Sequence, residues 1–416
     1  MFIIAATRTP FCKMGTDLAA LTADDLGRAA ATALLAETGI DPAEISEVIF
    51  GCVAQPAEAA NIARVIALRS GIPQHVPAMT VHRNCASGME AVTAAHQRIA
   101  AGQGDLFLVG GTESMTHVPL LFPHEAAQHF SDLNRAKSSG QKLSAAASFN
   151  LSDFKPRIGL ELGLTDPFSG LIMGDTAEIL SREFGITREA QDKFAAESHA
   201  KALAHREQLN SEISPVFCNG TAITEDNGIR TDSTPEKLST LRPIFDRTTG
   251  TVTAGNSSQI TDGAVALLVG TEAAAKRHGL EPLGRLAAYA YSGCDPARMG
   301  LGPVHAIAKA KQLSGLTPDD ADLIELNEAF AAQVLAVLSS LKHPSTHHLD
   351  LPAYEIPLEK LNPRGGAIAL GHPVGATGAR LILTALDQLR ETGGKRALAT
   401  LCIGGGQGAA LYLERP

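Results

Sequence analysis

The chain has 416 residues, a formal net charge of −9 at pH 7, 44% hydrophobic residues, 4% aromatics and no Trp. That length exceeds one ordinary compact core, so two or three domains are expected, with ample apolar material to bury. The acidic balance and scarcity of stacking side chains argue against a nucleic-acid surface, and no apolar run approaches the roughly 18 residues that span a bilayer. An anionic ligand would have to be met by a few local cations and by backbone amides.

In chain order, short β-rich runs alternate with Ala-rich helical runs. The sequence enters an apparent strand at once, "FIIAATRTPF", which leaves no room for a signal or transit peptide. Helical "TADDLGRAAATALLAETG", strand-like "EVIFGCV", helical "NIARVIALRSG" and strand-like "AMTVHRN" follow, then a helix after Cys85 and the strand "DLFLVGGTESM". Such alternation predicts an α/β architecture with covered sheets. Residues 117 to 170 break the pattern with scattered Pro, Ser and Lys and read as a flap laid on the core; helix resumes in "TAEILSREFGITREAQDKFAAESHAKALAHREQ". The second half repeats the first in outline. "PRGGAIALGHPVGATGARLILTALDQLRETGG" followed by "RALATLCIGGGQGAALYLE" has the order of "NCASGMEAVTAAHQRIAAGQGDLFLVGGTESM": reactive residue, helix, strand, glycine turn. Two such halves would pair equivalent helices centrally and turn their loops into one cleft.

The six cysteines, at 12, 52, 85, 218, 294 and 402, form no CxxC pair and lack the density of a disulfide scaffold. This usage fits a reducing compartment, so a cytoplasmic protein is expected. Cys85 lies between small residues at a predicted helix start. It is either a small buried hydrophobe or a nucleophile whose thiolate the helix N-terminus favours, with a lowered pKa. His372 sits among glycines 365, 366, 371, 375 and 378, an arrangement suited to close approach by backbone and substrate, and its natural role is general base toward a thiol. Cys402 opens "CIGGGQG", whose amides at 404 and 405 could form a small oxyanion hole. Taken alone it reads as a core cysteine at a strand end. A second thiol in the same cleft makes sense where one carries an acyl group and the other moves a proton on carbon. Asn327 in "NEAFAAQ" either caps the following helix or holds a water or substrate oxygen.

"NCASGM", "NEAFAAQ", "GGAIALGHPVGATGAR" and "CIGGGQG", in that order, resemble the four signature blocks of the thiolases, and "TVTAGNSSQITDGAVALL" and "MGLGPV" look like two more. The resemblance implies two similar mixed-sheet halves in a five-layered αβαβα arrangement with an inserted loop domain. The expected boundaries are 1–116 for the first part of the N-terminal half, 117–245 for the insertion and return, 246–270 for the last part, and 271–416 for the C-terminal half. By resemblance Cys85 is acylated, His372 activates it, Cys402 is the acid/base at carbon and at the coenzyme A sulfur, and Asn327 positions a water that forms one oxyanion hole with His372. The amides of Cys85 and Gly404 form the other. Coenzyme A is implied as a substrate, with no bound cofactor or metal. Ser258 matches the position that meets pantetheine, Ala254 and Gly255 keep the tunnel narrow, Arg230 is the candidate cation for the nucleotide, and Met173, Met299, Ala329 and Phe330 line the acyl end. A homodimer or homotetramer is implied. A further reading makes the chain a subunit of an oxidation complex, the flap docking a hydratase/dehydrogenase partner.

Some features pull in different directions. Ile172 and "MGDTAE" look like long-chain 3-ketoacyl-CoA thiolases, "NEAFAAQ" and "CIGGGQG" like acetoacetyl-CoA and degradative types, and Arg364 replaces a usually small or polar residue. The histidines His343, His347 and His348 invite a metal, but an exposed polar loop is the better reading. Cys12, Cys52, Cys218 and Cys294 read as structural thiols, and Glu113 as a partner for a backbone or helix end.

Overall fold

The computed structural model describes residues 1–347 and 351–416. Its framework consists of β1 (Phe2–Arg8), α1 (Ala23–Thr38), β2 (Glu47–Gly51), α2 (Ile62–Arg69), β3 (Ala78–Val81), α3 (Ser87–Ala100) and β4 (Leu106–Glu113). After an excursion come α4 (Met173–Glu183), α5 (Arg188–Ala204) and β5 (Thr261–Gly270). The C-terminal part supplies β6 (Gly284–Gly293), α6 (Gly302–Ser314), β7 (Leu323–Leu326), α7 (Ala331–Lys342), α8 (Val374–Thr392), β8 (Arg396–Ile403) and β9 (Gln407–Glu414).

The strands form one continuous sheet in the order β7-β8-β9-β6-β1-β5-β4-β2-β3, with Cys12–Lys13 added at β5. The repeat is visible in the pairing. In the first half β1–β5 and β5–β4 are antiparallel and β4–β2 is parallel; in the second, β6–β9 and β9–β8 are antiparallel and β8–β7 is parallel. Within the sheet, the described strands of the two halves join where Phe2 and Ile3 pair with Arg285 and Gly284. Three apolar clusters lie between the layers: α1 and α2 against one half-sheet, α6 and α7 against the other, and α3 with α8 between the two. This is the five-layered arrangement expected.

The central pair is held by the absence of side chains. A Cβ on Gly88 would lie 2.7 Å from the backbone nitrogen of Ala379, and one on Gly378 would lie 2.8 Å from that of Met89. The α3 and α8 backbones therefore touch, and each helix delivers its N-terminus to the seam between halves. Cys85 stands two residues before the first residue of α3, and His372 two before that of α8.

The excursion has more structure than its composition suggests. Helices His124–Arg135 and Ser139–Ala147 pack through a ring cluster of Phe122, Phe130, Phe149 and Phe154, and Leu120–Leu121 pairs with Arg157–Ile158. Its apolar residues are spent on a small local cluster and on exposed sites, which removes the long periodic stripe that sequence reading relies on. Among the described residues no helix is long and apolar enough to cross a membrane.

Candidate functional site

A cavity of about 660 Å³ opens at the seam. It gathers Cys85, His372, Cys402, Gly404, Ser258, Met173, Met299, Ala329 and Phe330, nine of the residues singled out from sequence. Ala254 and Arg230 do not line it; both are exposed. Gly255 is buried elsewhere, where a Cβ would strike Leu238 and Leu241 at 2.6 Å, so its smallness serves packing rather than a tunnel. Asn327 also lies outside the wall.

Cys85 is half-buried and follows Asn84, which takes the left-handed φ of 43°. The sharp turn leaves the thiol facing the loop after β8, where the Gly404 amide hydrogen-bonds its Sγ. Asn84 Nδ2 donates to Gly404 O at 2.7 Å, tying the two loops together. Gly405 and Gly406 hold φ of 85° and 76°, which only glycine takes without strain. The helix-end argument predicted a lowered Cys85 pKa. The structure reverses the sign: burial pushes the thiol up, the Gly404 and Cys85 amides pull it down by less, and the Glu113 charge adds to the rise. The resting group is therefore a thiol.

Thr377 sets the tautomer of His372. Thr377 Oγ1 donates to Pro373 O at 3.0 Å, so it accepts from His372 Nδ1, 2.6 Å away. The proton is thereby assigned to Nδ1, leaving Nε2 as the acceptor. Burial, and secondarily Arg380, lowers the His372 pKa to about 4, so the ring is neutral at ordinary pH. Its backbone N–H donates to Gln259 O at 3.0 Å.

Cys402 is the penultimate residue of β8, opposite Gly408, and is buried. Burial raises its pKa well above the ordinary thiol value, and the second cause is the charge of Cys85, which marks the two sulfurs as electrostatic neighbours. Ser258 is placed by its N–H to Ala329 O at 2.9 Å.

Asn327 does not cap α7, whose N-cap is Phe330. Its own N–H reaches Thr400 O at 3.0 Å, while neither side-chain polar atom, both fully buried, has a protein partner. A buried amide in that condition costs free energy on the order of 1–3 kcal/mol per group unless a polar guest satisfies it.

Residues that sequence reading did not single out complete the wall. Val118, Pro119, Leu121, Leu160, Leu162 and Leu164 come from the excursion. Val53, Met115 and Val374 had no signal beyond being apolar. Thr377 could have been found as the residue one turn into the helix behind His372. Ile172 is the N-cap of α4 and does not line the cavity. Arg364 is buried against Asp387, Glu391 and Glu212, a structural ion network off the cavity wall.

Cys12, Cys52, Cys218 and Cys294 are free thiols. Cys52 donates to Glu113. Among the described residues no three His, Cys, Asp or Glu side chains are grouped to hold a metal. His343 is exposed at the end of α7, His347 closes a short 3-10 turn (Pro344–His347), and His348 falls outside the described residues.

Comparison with known proteins covers the whole chain. The thiolase N-terminal domain matches residues 1–273 and the thiolase C-terminal domain residues 280–415. A 3-ketoacyl-CoA thiolase of Yersinia enterocolitica is 40% identical over 424 residues, spanning 99% of this chain and 96% of that protein. The crystal structure of human mitochondrial 3-ketoacyl-CoA thiolase in complex with CoA superposes with a TM-score of 0.86 at 38% identity, covering 100% of this chain and 98% of that one. An acetyl-CoA acetyltransferase from Bacillus anthracis also gives 0.86, at 36% identity and the same coverage.

Proposed function

The chain belongs to the thiolase family, and from that membership we propose that it cleaves 3-ketoacyl-CoA with coenzyme A to acetyl-CoA and a shortened acyl-CoA, in fatty-acid β-oxidation. The observation that carries the reading is the convergence of Cys85, His372 and Cys402 on one cavity, with the Gly404 amide on the Cys85 sulfur.

The chemistry follows from the protonation states. His372 Nε2 takes the proton of Cys85 Sγ, and the thiolate attacks the 3-keto carbon. The C2–C3 bond breaks, and Cys402 protonates the carbanion to give acetyl-CoA. The acyl group stays on Cys85 as a thioester. Coenzyme A then gives its thiol proton to Cys402 and attacks the acyl carbon. Cys85 leaves as thiolate and recovers its proton from His372. Both thiols start and end protonated, which agrees with burial raising both pKa values. Two carbonyl oxygens develop charge. The Cys85 and Gly404 amides serve one; His372 with a water on the unpartnered Asn327 amide serves the other.

Ser258 meets the pantetheine arm, and Met173, Met299, Ala329 and Phe330 surround the acyl end. Arg230, though outside the cavity, remains the candidate cation for the nucleotide. The working assembly is a cytoplasmic homodimer or homotetramer. A second reading, acetoacetyl-CoA formation, is favoured by the motif "CIGGGQG" and by the Bacillus anthracis neighbour's equal TM-score.

Coenzyme A-dependent cleavage of acetoacetyl-CoA beside a long-chain 3-ketoacyl-CoA tests the proposal. Faster cleavage of the long substrate supports the β-oxidation reading, preference for acetoacetyl-CoA moves it to the second, and no cleavage of either ends both.

A further inference from the structure

Glu113 is fully buried at the end of β4, and its carboxylate is bonded from both halves of the molecule. Oε2 accepts from Gly375 N at 2.8 Å and Val53 N at 3.1 Å; Oε1 accepts from Ala54 N at 2.8 Å and from the Cys52 thiol at 3.6 Å. Every partner is a donor, which favours the carboxylate, while burial works against it and pushes the Glu113 pKa up. Gly375 belongs to the first turn of α8, three residues after His372. Val53 and Ala54 are part of the cavity wall, as is Val374.

The repeat gives this position its meaning. The strand end of the second half, β8, carries Cys402 and the Gly404 loop to the turn before α3, where Cys85 sits. The equivalent strand end of the first half, β4, carries Glu113 to the turn before α8, where His372 sits. Each half thus sends a functional group from its strand end to the other's helix start.

We infer that Glu113 is a positioning residue for this site: its carboxylate clamps the start of α8 to the 52–54 loop, fixing His372 relative to Cys85, and keeps a negative charge behind the pair. The inference rests on the reading of Cys85 as nucleophile and His372 as its base. The clamp leaves no slack, since a Cβ on Gly375 would lie 2.9 Å from Glu113 Oε2, 2.8 Å from Thr112 O and 3.0 Å from Cys52 Cα. The charge is felt at the nucleophile, where Glu113 raises the thiol pKa. The other titratable groups on the cavity wall are His372, Cys402 and Asp166; Cys52 bonds Glu113 itself, and His82 accepts from the Asn84 N–H beside Cys85.

Two variants separate clamp from charge. In Glu113→Gln the amide NH2 faces N–H donors and the charge is gone. kcat should fall at least about tenfold with KM little changed, and the pH profile of Cys85 alkylation by iodoacetamide should move toward acid. In Gly375→Ala the charge stays while the clamp is forced apart, so kcat should fall similarly and the alkylation profile should keep its wild-type midpoint. A folded Glu113→Gln protein with the wild-type alkylation profile overturns the charge role. Gly375→Ala within about twofold of wild-type kcat overturns the clamp, and decides alone if Glu113→Gln does not fold. A wild-type enzyme without turnover would instead sink the underlying functional reading, whatever the variants do.

Discussion

The floor and the wall of the cavity are built on opposite principles. The floor consists of the turns before α3 and α8 and the glycine loop after β8, where small residues, touching helix backbones and loop-to-loop hydrogen bonds leave each polar group one position. The wall facing it comes from residues 118–164, whose leucines and phenylalanines are partly exposed and held by a small ring cluster. On the proposed function the floor would set the reaction and the wall what is delivered to it. The fold similarity itself extends to a 3-ketoacyl-CoA thiolase and to an acetyl-CoA acetyltransferase alike.

The floor should break hardest. Cys85→Ser should lower both half-reactions by at least about 10³-fold, because a hydroxyl is far less acidic than a thiol and His372, with its pKa lowered to about 4, is a weak base toward it. Cys402→Ser should cost on the order of 10²–10⁴-fold in carbon–carbon cleavage but far less in acylation by acetyl-CoA, measured as isotope exchange into coenzyme A. Equal losses in the two assays would end the division of labour between the thiols.

The wall should respond by selectivity. Replacing Leu160 and Leu164 together by Ala should lower kcat/KM for a long-chain substrate by roughly tenfold, with acetoacetyl-CoA within about twofold. Parallel losses would mean that this wall holds the coenzyme rather than the chain.

The smallest effect concerns stability. His372 is buried neutral, with its pKa lowered from 6.5 to about 4. Between those values the unfolded chain binds the proton and the folded one does not, so wild-type stability falls as pH drops from 6.5 toward 4. His372→Asn lacks this loss. Its stability relative to wild type should rise by up to about 1.4 kcal/mol per pH unit on acidification, read from urea midpoints. A pH-independent difference would mean that the ring is not held neutral.

Much of this was legible in the chain. The matching order of reactive residue, helix, strand and glycine turn in "NCASGM…" and "GGAIALGHP…" anticipated two halves, and the shared pairing pattern bears it out. His372 was legible from the glycines around it, whereas Cys85 and Cys402 stayed open on local grounds and were drawn together, with Gly404, by the resemblance to the thiolase blocks; the cavity does gather all four. What failed was non-local. The sign of the Cys85 shift depends on desolvation at a seam made by residues some 300 positions apart, such as Asn84 and Gly404, which no helix-end rule contains. Gly255 mimicked a tunnel residue because sequence shows that a side chain is missing, not which neighbour fills the space. The excursion hid its helices by burying few residues, and so the leucines it adds to the cavity wall went unnamed.

The central claim is that an acyl group rests on Cys85 between the two steps. Incubating the enzyme with an acyl-CoA, quenching in acid and sequencing the modified peptide by mass spectrometry tests it directly. The account predicts the acyl mass on Cys85, its release by added coenzyme A, and none in Cys85→Ser. An acyl group on Cys402, or turnover with no covalent adduct on either thiol, would contradict it.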